Sequence, residues 1–174
     1  VLFTSDNGPH NEARHNPERF NPSGPLRGMK RTLTEGGIRV PTIAWWPKTV
    51  TPGSQCDQPL YFGDLMATAC ELSGSPLPKD LDSISFLPTL KGQTDKQAKH
   101  EFLYWEFYER TFRQAVIVEN WKLIRSNMDN ERIELYDLSQ DIHEDENLAK
   151  EKPELAKKFV AMMEKAHVSH PNWP

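Results

Sequence analysis

Three apolar residues and a threonine open the chain, Val1-Leu2-Phe3-Thr4, and the run stops abruptly at Ser5-Asp6-Asn7-Gly8-Pro9. Such a short run predicts a strand buried on both faces, as in a parallel sheet. The five residues after it are dense turn chemistry. Residues 8–37 then show little periodicity and many Gly, Pro, Asn and charged residues. A loop of that length inside a compact domain is expected to be functional. Ile38 to Trp46 reads as strand again, with Pro41 placing it at an irregular or edge position.

The period lengthens at Asp64–Ser73. Leu65, Ala69 and Leu72 share one helical face, Met66 and Cys70 lie beside it, and Gly74 stands where a helix would stop. Asp64 is at the start, where a carboxylate can accept from orphan N–H groups. Residues 75–85 read as loop, 85–90 as a short helical turn, and 92–99 as polar connection.

Near His100 the pattern becomes aromatic and strand-like. Phe102–Phe107, Phe112–Val118, Trp121–Arg125 and Ile133–Leu138 are predicted strands, and Glu119-Asn120 makes the second and third a hairpin. Pro153–His167 is a predicted helix, with Pro153 at its first position. Leu155, Phe159, Met162, Met163 and Ala166 fall on one stripe. Strands followed by a helix suggest a small α+β unit whose last helix covers a sheet face.

Composition narrows the function classes. The 174 residues fit one domain, or a domain with a small annex. Twenty-one Lys and Arg against 25 Asp and Glu give a formal charge of −4, which excludes a general basic surface for nucleic acid. A hydrophobic fraction of 37% excludes a disordered chain. No apolar run is long enough for a transmembrane helix. Two cysteines cannot build a four-cysteine zinc site, and the six histidines show no H-E-x-x-H spacing. Cys56 and Cys70 read as structural. Trp45-Trp46 and Phe102 to Trp105 read as core. Because the chain opens on Val1 inside a strand, we expect it to be the tail of a longer protein, so its lack of a signal peptide carries no address.

Three places can carry chemistry. Asp6-Asn7-Gly8 follows a strand end, where α/β proteins bind ligands. Asp and Asn offer the oxygen donors that Ca²⁺ or Mg²⁺ prefer, provided the chain bends there; the alternative is an Asx-turn without metal. Arg27-Gly28-Met29-Lys30 puts two cations on a Gly-flanked loop, suited either to clamping a tetrahedral oxyanion or simply to facing water. His10 and His15 follow Asp6-Asn7 closely, where a histidine can serve acid–base work or touch a substrate hydroxyl. Arg14 is a further candidate of the same kind.

In order, Phe3-Thr4-Ser5-Asp6-Asn7-Gly8-Pro9-His10, Gly24-Pro25-Leu26-Arg27-Gly28-Met29-Lys30 and Thr34-Glu35-Gly36-Gly37-Ile38-Arg39-Val40-Pro41 resemble the C-terminal half of the arylsulfatase family, of the alkaline phosphatase-like superfamily. Tyr61 to Thr68, Ser83 to Leu90, Trp121 to Ile124 and Glu134 to Leu138 continue the likeness, so it covers nearly the whole chain.

The resemblance implies an α/β fold: residues 1–98 as the end of the catalytic α/β domain, and residues 99–174 as a smaller subdomain of antiparallel strands plus a terminal helix. It implies a sulfuric ester hydrolase whose nucleophile is a formylglycine, with a divalent cation, Ca²⁺ or Mg²⁺. Asp6 and Asn7 match two metal ligands, and Lys30 matches a sulfate-contacting lysine. His10 and Arg27 are the substrate-binding candidates, and the D-N-G-P-H form leans toward a sulfated carbohydrate.

Neither cysteine fits the nucleophile motif. Ser23-Gly24-Pro25-Leu26-Arg27 fits it by letter only, because it overlaps the block that leads to Lys30. The formylglycine is therefore expected outside this chain. The chain alone is expected to be inactive and prone to self-association, and its parent to be periplasmic or secreted. A related metal-dependent phosphohydrolase, or a non-catalytic binding domain, are the competing readings.

Overall fold

A computed structural model describes residues 1–12, 16–109, 111–126 and 132–170. The chain falls into two compact units, Val1–Thr4 with Thr42–Glu101, and Ser5–Pro41 with Phe102–Pro174.

In the second unit, alternating side chains between 103 and 137 build one antiparallel meander: β3 (Leu103–Glu109), β4 (Thr111–Val118), β5 (Trp121–Ser126) and β6 (Arg132–Asp137), in that spatial order. Glu119 takes φ 53° in the two-residue turn between β4 and β5, the left-handed conformation that a tight hairpin demands. Val116, Leu123 and Leu135 point to one face and are fully buried there by Ala156, Phe159 and Met163 of α5 (Pro153–Ala166). Their immediate neighbours Ala115, Ile124 and Tyr136 point to the other face, as the period of two requires. Leu33 and Ile38 of the long loop pack there. The loop thus acts as a second covering layer, and the sheet is closed on both sides.

The loop carries two short helical turns, α1 (Pro17–Phe20) and α2 (Glu35–Ile38). Sequence periodicity does not reveal either, because four residues span barely one turn. Residues 35–38 were expected to lead into a strand; they are helical, and the strand begins only after Pro41.

The first unit holds β1 (Leu2–Thr4), paired antiparallel with β2 (Thr42–Ala44) so that Phe3 lies opposite Ile43. The strand was expected to be parallel and buried on both faces. It is antiparallel, and Phe3 and Ile43 are exposed, because among the described residues no hydrophobic cluster packs against this two-stranded ribbon. Trp45 and Trp46, expected in the core, are exposed for the same reason.

Helix α3 (Asp64–Ser73) has the predicted bounds and ends on Gly74 at φ 69°. Its buried face is not the predicted one. Asp64, Ala67 and Thr68 point inward, while Leu65, Met66 and Leu72 are exposed. Hydrogen bonds set this orientation. Asp64 accepts from the Tyr61 and Ile84 amides at 3.2 and 2.9 Å, and His100 Nε2 lies 3.0 Å from both its oxygens. The Phe86 amide donates to Thr68 Oγ1 at 3.0 Å. Helix α4 (Leu87–Leu90) and a 3₁₀ turn at Thr94–Lys96 complete the unit. Cys70 is half-buried on α3, whereas Cys56 is exposed and so not part of any core; both are free thiols. No helix among the described residues is long and apolar enough to cross a membrane.

Candidate functional site

Three close backbone contacts assemble the site within the second unit. The Gly8 amide donates to the Gly37 carbonyl at 2.9 Å, the Lys30 amide to the Pro9 carbonyl at 2.8 Å, and the Gly36 amide to the Arg27 carbonyl at 2.8 Å. The segment after β1 is thereby laced to both parts of the long loop, although 20 to 30 residues separate them in sequence. Ser5 Oγ donates to the Asn7 carbonyl at 2.9 Å and helps to bend the chain at Asp6.

The result is an open cleft of about 800 Å³. Asp6, Asn7, His10 and Lys30 all line it, so four residues singled out from sequence share one wall system. Asp6 is exposed and Asn7 half-buried. Ser23 and Arg39 line the cleft too, and sequence reasoning assigned neither to the site. Ser23 Oγ donates to the Gly28 carbonyl at 3.0 Å, so the hydroxyl that fits the nucleophile motif by letter is spent on holding the loop. Arg39 pairs with Glu35 one helical turn away and remains half-exposed at 54%.

Electrostatically the cleft has two sides. Asp6 and Asn7 present oxygen donors, whereas Lys30 and Arg39 present cations. The Lys30 ammonium is 4.0 Å from Glu12, which also pairs with Arg31. The hydrogen bond from Arg31, with its charge, holds the Glu12 carboxyl below its ordinary range. The Glu12 amide donates to His10 Nδ1 at 3.1 Å. That acceptor role assigns the neutral imidazole the tautomer with its proton on Nε2.

A hard divalent cation fits this donor set in kind. Asp6 supplies charge and Asn7 a neutral oxygen. The two residues cover only part of the six to eight oxygens that Ca²⁺ takes, and no group of three or more His, Cys, Asp or Glu among the described residues could hold a metal.

Arg27 is placed elsewhere. It does not line the cleft; its Nη1 donates to Tyr136 Oη at 3.1 Å and lies 3.5 Å from Glu134 Oε1. Burial alone would lower the guanidinium pKa, but Tyr136, Glu134 and Glu144 outweigh it and raise it. Burial, with the Glu134 hydrogen bond, pushes the Tyr136 phenol up to about 12. Arg14 and His15 lie outside the described residues.

Sequence reasoning missed the charges behind the cleft wall. Lys122 of β5 is wholly buried, as are Glu35 and Glu144. Its Nζ lies 2.8 Å from Glu35 Oε1 and 2.9 Å from Glu144 Oε1. The second contact is an ion pair outside hydrogen-bond geometry, since Glu144 Oε1 has no hydrogen-bond partner. Burial pushes the Glu35 carboxyl up, but Lys122 and then Arg39 outweigh it and hold it below the ordinary range. For Glu144 burial wins, and its carboxyl is raised. A signal existed: Lys122 and Glu134 share strand parity with Ile124 and Tyr136, whose face turns out to be covered.

Known proteins converge on one family. The family described as N-sulphoglucosamine sulphohydrolase, C-terminal, matches residues 29–169. An N-acetylgalactosamine-6-O-sulfatase of Bacteroides thetaiotaomicron is 32% identical over 186 residues, covering 94% of this chain and 35% of that protein. Human steryl-sulfatase is 36% identical over 108 residues, 60% of this chain and 18% of its own length. A solved structure from work on glycosaminoglycan metabolism by Bacteroides thetaiotaomicron superposes with a TM-score of 0.78 at 31% identity, over 95% of this chain and 38% of that one. The structure of Ps i-CgsB in complex with k-i-k-neocarrahexaose gives 0.77 at 26% identity, over 94% and 35%. The chain thus spans little more than a third of these relatives, or less. By sequence and by fold, the chain belongs to the N-sulphoglucosamine sulphohydrolase C-terminal family, and the relatives it matches are named sulfatases.

Proposed function

We propose that this chain supplies one side of the active site of a sulfatase that hydrolyses sulfate esters on carbohydrate. The carrying observation is that Asp6, Asn7 and His10 of one sequence block and Lys30 of another line a single cleft. Asp6 and Asn7 would hold a Ca²⁺ or Mg²⁺ ion together with ligands from outside this chain. Such an ion, when bound, offsets charge on the ester oxygens. The Lys30 ammonium is directed at the same sulfate, where a cation stabilises the charge that develops as the S–O bond breaks. His10, with its proton on Nε2, donates to a sugar hydroxyl. The formylglycine nucleophile lies outside this chain. Arg27, expected at the substrate, is assigned instead to holding the loop, since its guanidinium faces Tyr136 and Glu134.

Carbohydrate is favoured by one relative named as an N-acetylgalactosamine-6-O-sulfatase and another solved in complex with a neocarrahexaose. We keep the division at residues 98 and 99 as the boundary between catalytic domain and subdomain in the parent, although residues 5–41 pack with the C-terminal sheet. The parent is assigned to the periplasm or the medium.

The test uses the intact protein that carries this chain. Wild type should cleave sulfated sugars, and Lys30→Ala should lower kcat about 100- to 1,000-fold. Preference for phosphate monoesters over sulfate esters would overturn the reading.

A further inference from the structure

The buried charges behind the cleft have no part in the chemistry just described, yet they bracket the residue that does. Lys122 stands on β5 and Glu144 in the turn that follows β6. Glu35 opens α2, and its own amide donates to Glu144 Oε2 at 2.9 Å. Arg27 is tied to Glu134 and Tyr136 of β6, and its Nε lies 3.8 Å from Glu144 Oε2. Lys30 therefore sits between two anchors, Arg27 and Glu35, both fixed to the same face of the same sheet.

Stability alone does not explain these ions. Apolar side chains of similar volume hold a sheet to a loop at least as well, because burying charges costs most of what their attraction returns. What an ion cluster adds is register, since each partner accepts one placement. A shift at Glu35 passes directly to Gly36 and Gly37, whose backbone holds Arg27 and Gly8.

We infer that Lys122, acting through Glu35 and Glu144, is a positioning residue that sets the height of the Lys30 ammonium opposite the Asp6–Asn7 turn. This inference rests on the reading of the cleft as the sulfate site.

The test compares wild type with Lys122→Met/Glu144→Gln in the intact protein. The pair removes one charge of each sign, so the net buried charge is unchanged, and Glu35 keeps its pairing with Arg39. Glu144→Gln alone is the milder second variant. Two readouts are taken well below the melting transition: steady-state kinetics on a sulfated sugar, and amide hydrogen exchange. Positioning predicts that kcat falls about 10- to 100-fold in the double variant. It also predicts faster exchange across residues 27–39, with β4 and β5 protected as in wild type. Glu144→Gln should show the same pattern in smaller measure. A lower Tm with wild-type kcat, or exchange raised evenly through the sheet, would mark a merely structural role and overturn the inference. Wild-type kinetics and exchange would overturn it as well. If the wild-type protein cleaves no sulfate ester, the function reading fails separately, and the exchange pattern still decides whether the cluster holds the loop.

Discussion

A Cβ built on Gly8 would stand 1.8 Å from the carbonyl oxygen of Gly36. That contact is with backbone, which has nowhere to go, because the Gly36 amide is itself bonded to Arg27. The two glycines therefore let the Asp6–Asn7 turn lie directly on the loop that carries Lys30. Gly8→Ala should force the two loop segments of the cleft apart and destabilise the fold by about 1–3 kcal/mol, the usual cost of overpacking. Thermal unfolding of the intact protein checks this; an unchanged Tm would contradict it.

Asp64 serves the first unit as the Lys122 cluster serves the second. It is fully buried, accepts two amides and faces His100. Asp64→Ala strands those donors and should cost about 1–3 kcal/mol for each one left buried and unpaired. Asp64→Asn, which keeps one acceptor oxygen, should cost clearly less. Equal loss in both variants, measured by denaturant unfolding, would show that the hydrogen bonds are not the cause.

Acid should loosen the loop through Glu35. Its folded pKa is depressed by Lys122 and Arg39 despite burial. A depressed carboxylate stabilises the fold above its unfolded value, about 4.3, and that contribution is lost as pH falls through the folded value. Glu144 has the opposite sign: its raised pKa makes the ionised form costly, and protonation relieves it. Amide protection at residues 35–39, corrected for intrinsic rates, should therefore fall on the acid side of pH 4.3. Glu35→Gln should flatten that acid limb. A limb unchanged in Glu35→Gln would place the titration elsewhere.

The β1–β2 ribbon exposes Phe3, Ile43 and Trp45. Apolar strands of this kind pair with neighbours. This chain expressed by itself should self-associate, and Ile43→Lys with Trp45→Lys should shift it toward monomer in light scattering. A monodisperse monomer of the unsubstituted chain would contradict this.

Much of the architecture was legible because the signals were local. The β4–β5 hairpin follows from alternation and a two-residue turn, and α3 from its period and Gly74. Which face of α3 is buried was not legible: apolar periodicity favoured Leu65 and Leu72, but the Asp64 and Thr68 hydrogen bonds prevailed. The opening strand failed for a similar reason, since burial on both faces depends on partners that a sequence run does not specify. Asp6, Asn7, His10 and Lys30, which line one cleft, were singled out from residue chemistry and family likeness. Lys122 and Glu144 were not, because a lysine on an alternating strand reads as a solvent-facing residue until a loop 87 residues upstream, at Glu35, is seen to cover it.

Asp6 and Asn7 are proposed to hold a divalent cation that acts on a sulfate ester beside Lys30. The deciding measurement is the calcium content of the intact protein, wild type against Asp6→Ala. Asp6 is exposed, so its loss should leave the fold intact. The expected result is a stably bound ion in wild type, and its loss from a folded Asp6→Ala protein together with loss of sulfate-ester hydrolysis. Wild-type metal content in Asp6→Ala would show that these two residues do not hold the ion.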